Sequence, residues 1–588
     1  MVKLLRFLKA YKKESILGPL FKLLEATFEL IIPIIMACII DVGIANKDKN
    51  YIVKMCLIMT LMGIVGLVCS LTAQFFAAKA AVGFSTKLRK ELFEHIQRLS
   101  YTELDGVGVS TLITRMTSDV NQIQTGINLV IRLFLRSPFI VFGAMIMAFR
   151  INVKASMIFV ITIPLLAIVV YGIMLITIPL YKKVQSRLDK VLLLVRENLS
   201  GVRVIRALNY EQKEVENFAK SNEDLTKIQL LVGRISAFMN PITYAIINIS
   251  IVVIVRNGAI EVNKGIITTG EVVALVNYMS QILVELVKLA NLIVTVNKSV
   301  ACGNRVQDVF EIETSMEKTF EYEDVDTQQL KVDKNSTKLV LEKVKNIIFK
   351  DVCLLYNKSH EEALSNISFS INQGETLGII GGTGSGKSSL INLIPRYYDA
   401  TKGEIKINDN NIEDYSVVDL RKKIAVVPQK TVLFKGTIRE NMKLGNDKAT
   451  DEDIIKALKV AQAYDFVKTK EGELDFYIEQ GGKNLSGGQR QRLAIARALV
   501  TDASVIVFDD SMSALDYATD AALRKELKLV KDKIKIIVSQ RVASLNGADR
   551  IVVLDDGEMV GLGTHDELLK NCKVYEEIYY SQVKKENE

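Results

Sequence analysis

Asn484-Leu-Ser-Gly-Gly-Gln-Arg-Gln-Arg-Leu-Ala-Ile-Ala-Arg-Ala-Leu499, followed closely by Val505-Ile-Val-Phe-Asp-Asp510, decides the fold of the second half of this chain. Leu485–Gln489 reads as a helix start, with Ser486 able to cap and Gly487 and Gly488 able to admit a close ligand. Free amide hydrogens and the positive end of the helix dipole make such a turn an anion site. Leu493, Ala496 and Val500 then share one face of the predicted helix. The apolar run after it ends in Asp509 and Asp510, as a buried parallel strand does when it delivers charge at its C-terminal edge. Upstream, Gly381-Gly-Thr-Gly-Ser-Gly-Lys-Ser388 fits the phosphate-binding pattern GxxxxGK[ST]. Thr376–Ile380 is the apolar strand that feeds it. The glycines let backbone amides wrap phosphates, Lys387 neutralises the β- and γ-phosphates, and Ser388 offers its hydroxyl to Mg²⁺.

Outside this region the composition changes. Of 588 residues, 49% are hydrophobic and 24% charged, so apolar and charged material must segregate along the chain. The net charge of +8 comes without a basic stripe interleaved with aromatics, which argues against nucleic acid as a partner. The six cysteines form no CxxC or metal spacing and read as buried thiols. Met1–Glu14 is basic and amphipathic and reads as an interfacial helix leading into a first span rather than a cleaved presequence.

Six stretches are long enough to cross a bilayer, each of about 20 mostly apolar residues. They lie near Ser15–Ile40, Ile52–Ala78, Gly126–Ala148, Ala155–Leu180, Ala237–Ile260 and Val272–Val296. Their connections alternate in kind. Asp41–Tyr51, Arg150–Lys154 and Glu261–Gly270 are brief, whereas Lys79–Thr125 and Tyr181–Ser236 are long, helical in pattern and rich in Lys and Arg. That asymmetry predicts a multi-pass protein of the cell membrane, with the long connections, both termini and the phosphate-binding domain in the cytoplasm. Charges inside the spans are costly and face protein or a wet cavity. Lys22, Glu25 and Glu29 share a face of the first span, Arg132 and Arg136 are four apart in the third, and Gln281, Glu285 and Lys288 share a face of the sixth. Two readings stand side by side: a polar substrate cavity, or internal pairing such as Glu25 or Glu29 with Arg132 or Arg136. Pro164, Pro179 and Asn240-Pro241 are expected kink sites.

Phosphate loop, LSGGQ turn and acidic strand, in this order behind six spans, resemble the exporter-type ATP-binding cassette (ABC) transporters. The resemblance implies an α-helical transmembrane domain over residues 1–311, a linker over 312–338 and an α/β P-loop nucleotide-binding domain over 339–588. Glu313–Lys338, polar and without periodicity, suits the linker. It further implies ATP and Mg²⁺ as ligands. Gly381, Gly382, Thr383, Gly384, Ser385, Gly386, Lys387, Ser388 and Ser389 would hold the phosphates, and Tyr356 would stack on adenine. Ser388, Gln429 and Asp509 would serve the metal, while Ser486, Gly487, Gly488 and Gln489 would face the nucleotide of a second domain. Ser513–Asp516 resembles the loop that communicates across the dimer, and His565 is expected to be structural. Short transverse coupling helices are expected near Ser100–Asp105 and Ala207–Glu214.

Two positions depart from the family pattern. Asp510 stands where hydrolytic members carry a glutamate as general base, and Gln540 stands where they carry a histidine. The shorter carboxylate is misplaced for proton abstraction, and glutamine neither titrates nor becomes cationic. None of His95, His360 and His565 lies where it could substitute. Around Tyr477–Gly482 the usual glutamate-arginine run is also missing. Because such sites are composite, each P-loop facing the other domain's LSGGQ, the pattern resembles one subunit of the heterodimeric bacterial multidrug exporters. It would bind ATP at a degenerate site and complete a competent site on a partner half-transporter that carries the glutamate and histidine. The implied cargo is an amphipathic or hydrophobic small molecule. A lipid or peptide exporter, and an ATP-gated pore or sensor, are the alternatives.

Overall fold

The computed structural model describes residues 1–316, 339–356 and 360–586, so the expected linker over 312–338 lies almost wholly outside the described residues. The chain divides into two compact units, residues 1–95 with 110–312, and residues 96–109 with 313–588.

The first unit is built from helices long and apolar enough to cross a membrane, six in all, over Lys3–Ile44, Lys49–Arg98, Val109–Ile151, Val153–Ser200, Glu211–Asn263 and Thr269–Phe310. Each expected span falls inside one of them. The brief connections reduce to a few residues; Asn152 separates two helices and accepts a hydrogen bond from the Ala155 amide as their N-cap. Aliphatic side chains such as Leu30, Ile140, Leu166 and Ile254 fill the interior together with alanines and the rings of Phe159 and Tyr278. The Tyr278 hydroxyl donates to the Leu30 carbonyl at 2.6 Å, which satisfies the one polar atom of that buried ring. On the second long helix Leu57, Leu61, Ile64, Leu71 and Phe75 remain exposed, an apolar face suited to hydrocarbon.

The N-terminal helix, Val2–Tyr11, packs one face against the rest of the unit and leaves Leu5 exposed on another. Leu4 and Phe7 are buried within the unit, Phe7 against Phe84 and Phe310 with centroids at 6.3 Å in both cases; amphipathic periodicity alone does not say whether protein or lipid covers the apolar face. The third span is present, with a two-residue turn at Phe134–Leu135 that keeps helical backbone angles and places Arg132 before it and Arg136 after it. The second short helix is Val202–Ala207, upstream of the expected Ala207–Glu214. It stops where Asn209 takes a left-handed φ of 54°, and the next helix begins at Glu211. Helix continues through Pro164 and Pro179, while the break at Phe238 lies just before Asn240-Pro241.

In the second unit a ten-stranded sheet carries the fold. Its parallel part runs Ile424–Val427, Val505–Asp509, Ile534–Val538, Thr376–Gly381 and Arg550–Asp555. These strands are nearly all Val, Ile and Leu because both faces are covered. Asn346–Leu354, Leu364–Asn372 and Lys402–Ile407 add an antiparallel part. Thr376–Gly381 and Val505–Asp509 both flank Ile534–Val538 in parallel, so the phosphate loop and the acidic pair emerge from the same sheet edge. Tyr101–Val107, the first short helix, belongs to this unit; Ser100 and Glu103 form its capping box.

Candidate functional site

The strand Thr376–Gly381 ends in a loop whose Gly384 and Gly386 take φ of 88° and 90°, a conformation that favours glycine. At Gly382 and Gly384 a Cβ would meet nothing within 4 Å, so the loop rims an open cradle. Lys387 opens the following helix, Lys387–Leu393. Its ammonium donates to the Gly381 carbonyl at 3.0 Å, to Ser385 Oγ at 3.2 Å and to the Gly382 carbonyl. Burial lowers the Lys387 pKa, with Asp510 and Asp509 opposing. Only weak neutral acceptors hold this cation, and an anion seated in the cradle would be the stronger partner.

Asp509 and Asp510 stand at the end of the acidic strand, across the loop. Ser388 Oγ lies 3.3 Å and 3.4 Å from the two Asp509 oxygens. Burial raises the Asp509 pKa, Ser388 counteracts it, and the neighbouring Asp510 charge adds to it. A hydroxyl facing a carboxylate is a hard-oxygen donor set, and it fits Mg²⁺ with water completing the shell. Asp510 has a left-handed φ of 44°, and its Oδ2 accepts from Gln429 Nε2 at 3.3 Å. Burial raises its pKa as well, against that hydrogen bond and the charges of Lys387 and Arg541. The structure therefore brings Lys387, Ser388, Gln429, Asp509 and Asp510 to one edge. Gln540 follows the neighbouring strand Ile534–Val538 and is exposed.

Tyr356 lies two residues past the strand Asn346–Leu354, half-buried, its hydroxyl donating to Ser389 Oγ at 3.0 Å. Its ring meets Tyr398 edge-on at 5.0 Å. Tyr398 was not singled out by motif, yet its hydroxyl donates to Asp105 on the short helix at 2.5 Å. Tyr397 packs on Tyr101 of that same helix with centroids 4.6 Å apart, and the Arg421 guanidinium lies over the Tyr397 ring. Burial, then the Asp105 bond, pushes the Tyr398 phenol up. Consecutive tyrosines in Arg396–Ala400 were the available signal.

The turn at Leu485–Gln489 is fully built. Ser486 Oγ accepts from the Gln489 amide at 3.3 Å, and Gln489 Oε1 accepts from the Ser486 amide at 3.0 Å. This is a capping box at the head of Gly487–Leu499, which leaves the intervening amides of Gly487 and Gly488 pointing outward. A Cβ at Gly487 would meet nothing within 4 Å. Arg490 braces the turn from behind by donating to the Leu485 carbonyl at 2.7 Å and the Gly482 carbonyl at 3.2 Å. His565 Nδ1 lies 2.7 Å from the Tyr575 hydroxyl and packs on Tyr579.

Residues 15–286 match the model of the ABC transporter transmembrane region, and residues 364–513 match that of the ABC transporter ATP-binding part. A Bacillus subtilis relative, an uncharacterized ABC transporter ATP-binding protein, is 33% identical over 100% of this chain and 99% of its own length. The chain belongs to the ABC transporters. ATP binding and ATP-driven transport across a membrane are general to that family. An ATP-dependent lipid A-core flippase of Desulfotalea psychrophila is 33% identical to this ABC transporter over 84% of each chain. The fold is that of a bacterial Atm1-family ABC exporter solved with ATP bound, at a TM-score of 0.77, 21% identity and coverage of 97% of this chain and 98% of the other.

Proposed function

We propose that this ABC transporter chain is one half of a heterodimeric exporter, holding ATP at a slow site of its own and completing a fast site on its partner. One observation carries the reading: a complete LSGGQ turn, with its capping box and open glycines, occurs on the same chain as Asp510 and Gln540. A chain that only sensed nucleotide would have no use for the donor turn. The partner is a second half-transporter with glutamate and histidine at the positions of Asp510 and Gln540.

In this reading Gly381–Ser389 wrap the phosphates, and Lys387 exchanges its carbonyl partners for the β- and γ-phosphates. Tyr356 presents its ring to adenine. Ser388, Asp509 and Gln429 hold Mg²⁺, which neutralises charge on the transferring phosphate when bound. Asp510 is the carboxylate that would take a proton from the attacking water. It is one methylene short and already engaged by Gln429, so hydrolysis at this P-loop is slow. The nucleotide domain and both termini face the cytoplasm, and the cargo is an amphipathic or hydrophobic small molecule. A lipid cargo is the second reading, favoured by the likeness to the flippase.

The test is vanadate trapping of radiolabelled 8-azido-ATP in the complex isolated from its native membrane, followed by photocrosslinking. Trapped ADP is expected on the partner's P-loop rather than on this chain. Equal trapping on both chains would refute the division of labour.

A further inference from the structure

Within the membrane unit, the first, second, third and sixth long helices line a cavity of about 490 Å³, the second through Met59 alone. Ile32, Met36 and Ile140 form an apolar wall; Glu29, Arg136, Gln281, Glu285 and Lys288 form a polar one. The residues of the polar wall all belong to helices long and apolar enough to cross a membrane. Glu285 is sixteen residues past Thr269, about 24 Å along its helix at 1.5 Å per residue, less than the roughly 30 Å of a hydrocarbon layer.

The four charges are not equivalent. Arg136, with 6% of its side chain exposed, donates to Glu285 Oε1 at 2.6 Å and to Glu29 Oε2 at 2.7 Å. Glu285, 4% exposed, also accepts from Ser137 Oγ at 2.8 Å and from Lys288 Nζ at 2.8 Å. Arg136 and Glu285 thus neutralise each other and close the floor. Glu29 and Lys288 reach the open space, their side chains 41% and 43% exposed. Gln281 Nε2 donates to the Glu29 carbonyl at 3.4 Å, which fixes the orientation of its amide. Gln281 Oε1 is buried without a hydrogen-bond partner among the described residues. Two carboxylates and two cations leave the wall neutral.

We infer that this cavity binds zwitterionic amphipaths. The ligand's ammonium meets Glu29, its anionic group meets Lys288, and its apolar body lies on Ile32 and Met36. A ligand with one charge would leave the site charged at membrane depth, where uncompensated charge is costly; a zwitterion keeps it neutral. The inference rests on the transporter reading and goes beyond it by naming the charge class of the cargo. A lipid head group and an unblocked hydrophobic peptide both carry this pair of charges.

The experiment measures binding to the full chain purified in an uncharged maltoside detergent, without ATP. The probes are a lysophosphatidylethanolamine, an unblocked hydrophobic tripeptide, and two singly charged amphipaths whose chains match the lysolipid, an alkylamine and an alkyl phosphate blocked as its methyl diester. At least one zwitterion is expected to bind about tenfold more tightly than either singly charged amphipath. Lys288→Gln leaves the wall negative and is expected to turn the preference toward the alkylamine; Glu29→Gln is expected to turn it toward the alkyl phosphate. Neither misfolding nor general partitioning produces that crosswise change. Preference for the lysolipid assigns a lipid as the cargo, and preference for the tripeptide a soluble one. Single-charge probes binding wild type as well as the zwitterions would overturn the inference, as would a uniform loss of all probes in both variants. Because no ATP is present, loss of ATP-driven transport would refute the transporter reading while leaving this ranking to be judged on its own.

Discussion

Gly487→Asp separates the folding role of the LSGGQ turn from its electrostatic one, because the two effects have opposite signs. Gly487 is the first residue of its helix, its φ is not left-handed, and an added Cβ meets nothing within 4 Å. An aspartate therefore fits, and its charge at the helix N-terminus stabilises by about 0.3–1 kcal/mol. The melting temperature should hold or rise slightly. If the outward amides face the partner's γ-phosphate, the same carboxylate stands against a phosphate oxygen. At about 5 Å and an effective dielectric near 20, the repulsion is about 3 kcal/mol per unit charge pair, or ~10²-fold. Steady-state ATPase of the purified complex is the assay, with thermal unfolding measured on the same sample. Gly487→Asn supplies the same volume without the charge and should cost much less. Full activity in Gly487→Asp, or an equal loss in Gly487→Asn, would refute the electrostatic argument.

Asp510→Asn and Gln540→Ala enter the slow site and should lower turnover of the complex well under tenfold, because little of the ~10²–10⁴-fold of general base catalysis is present there to lose. The same steady-state assay checks this, and abolition by Asp510→Asn would reverse the assignment of the two sites. Arg136→Met leaves Glu285 buried without its main counter-charge and should destabilise by about 3–5 kcal/mol, read as a lowered unfolding temperature in detergent. Arg136→Met with Glu285→Met should recover most of that loss. Tyr398→Phe removes a hydrogen bond to a carboxylate, worth about 1.5–3 kcal/mol, from the contact between Tyr398 and Asp105. It should weaken cargo stimulation of the ATPase by up to ~10²-fold with basal turnover retained.

Much of the fold was legible because its signals are local. Each span is one mostly apolar stretch, and the phosphate loop, the LSGGQ turn and the acidic strand are each contiguous. What the sequence did not show depends on partners far apart in the chain. Arg136 meets Glu29 and Glu285 across 107 and 149 residues, so pairing and cavity stood as equal readings until the helices were in place. Arg136 pairs with Glu29, as the pairing reading allowed, and also with Glu285, while Glu29 and Lys288 reach an open cavity. Likewise Gln429 and Asp510 meet across 81 residues, and Tyr398 and Asp105 across 293. The second short helix was misplaced because its end is set by the backbone at Asn209, a residue type that also occurs within helices. For the N-terminal segment, periodicity gave the apolar face but not Phe84 and Phe310, which cover it.

The most direct measurement is the ATPase rate of this chain purified alone, set beside that of the complex drawn from its native membrane under the same conditions. An intact donor turn paired with a shortened base predicts that the chain alone, even as a dimer, works at least ~10-fold more slowly than the complex. A stable homodimer hydrolysing ATP as fast as the complex would contradict it.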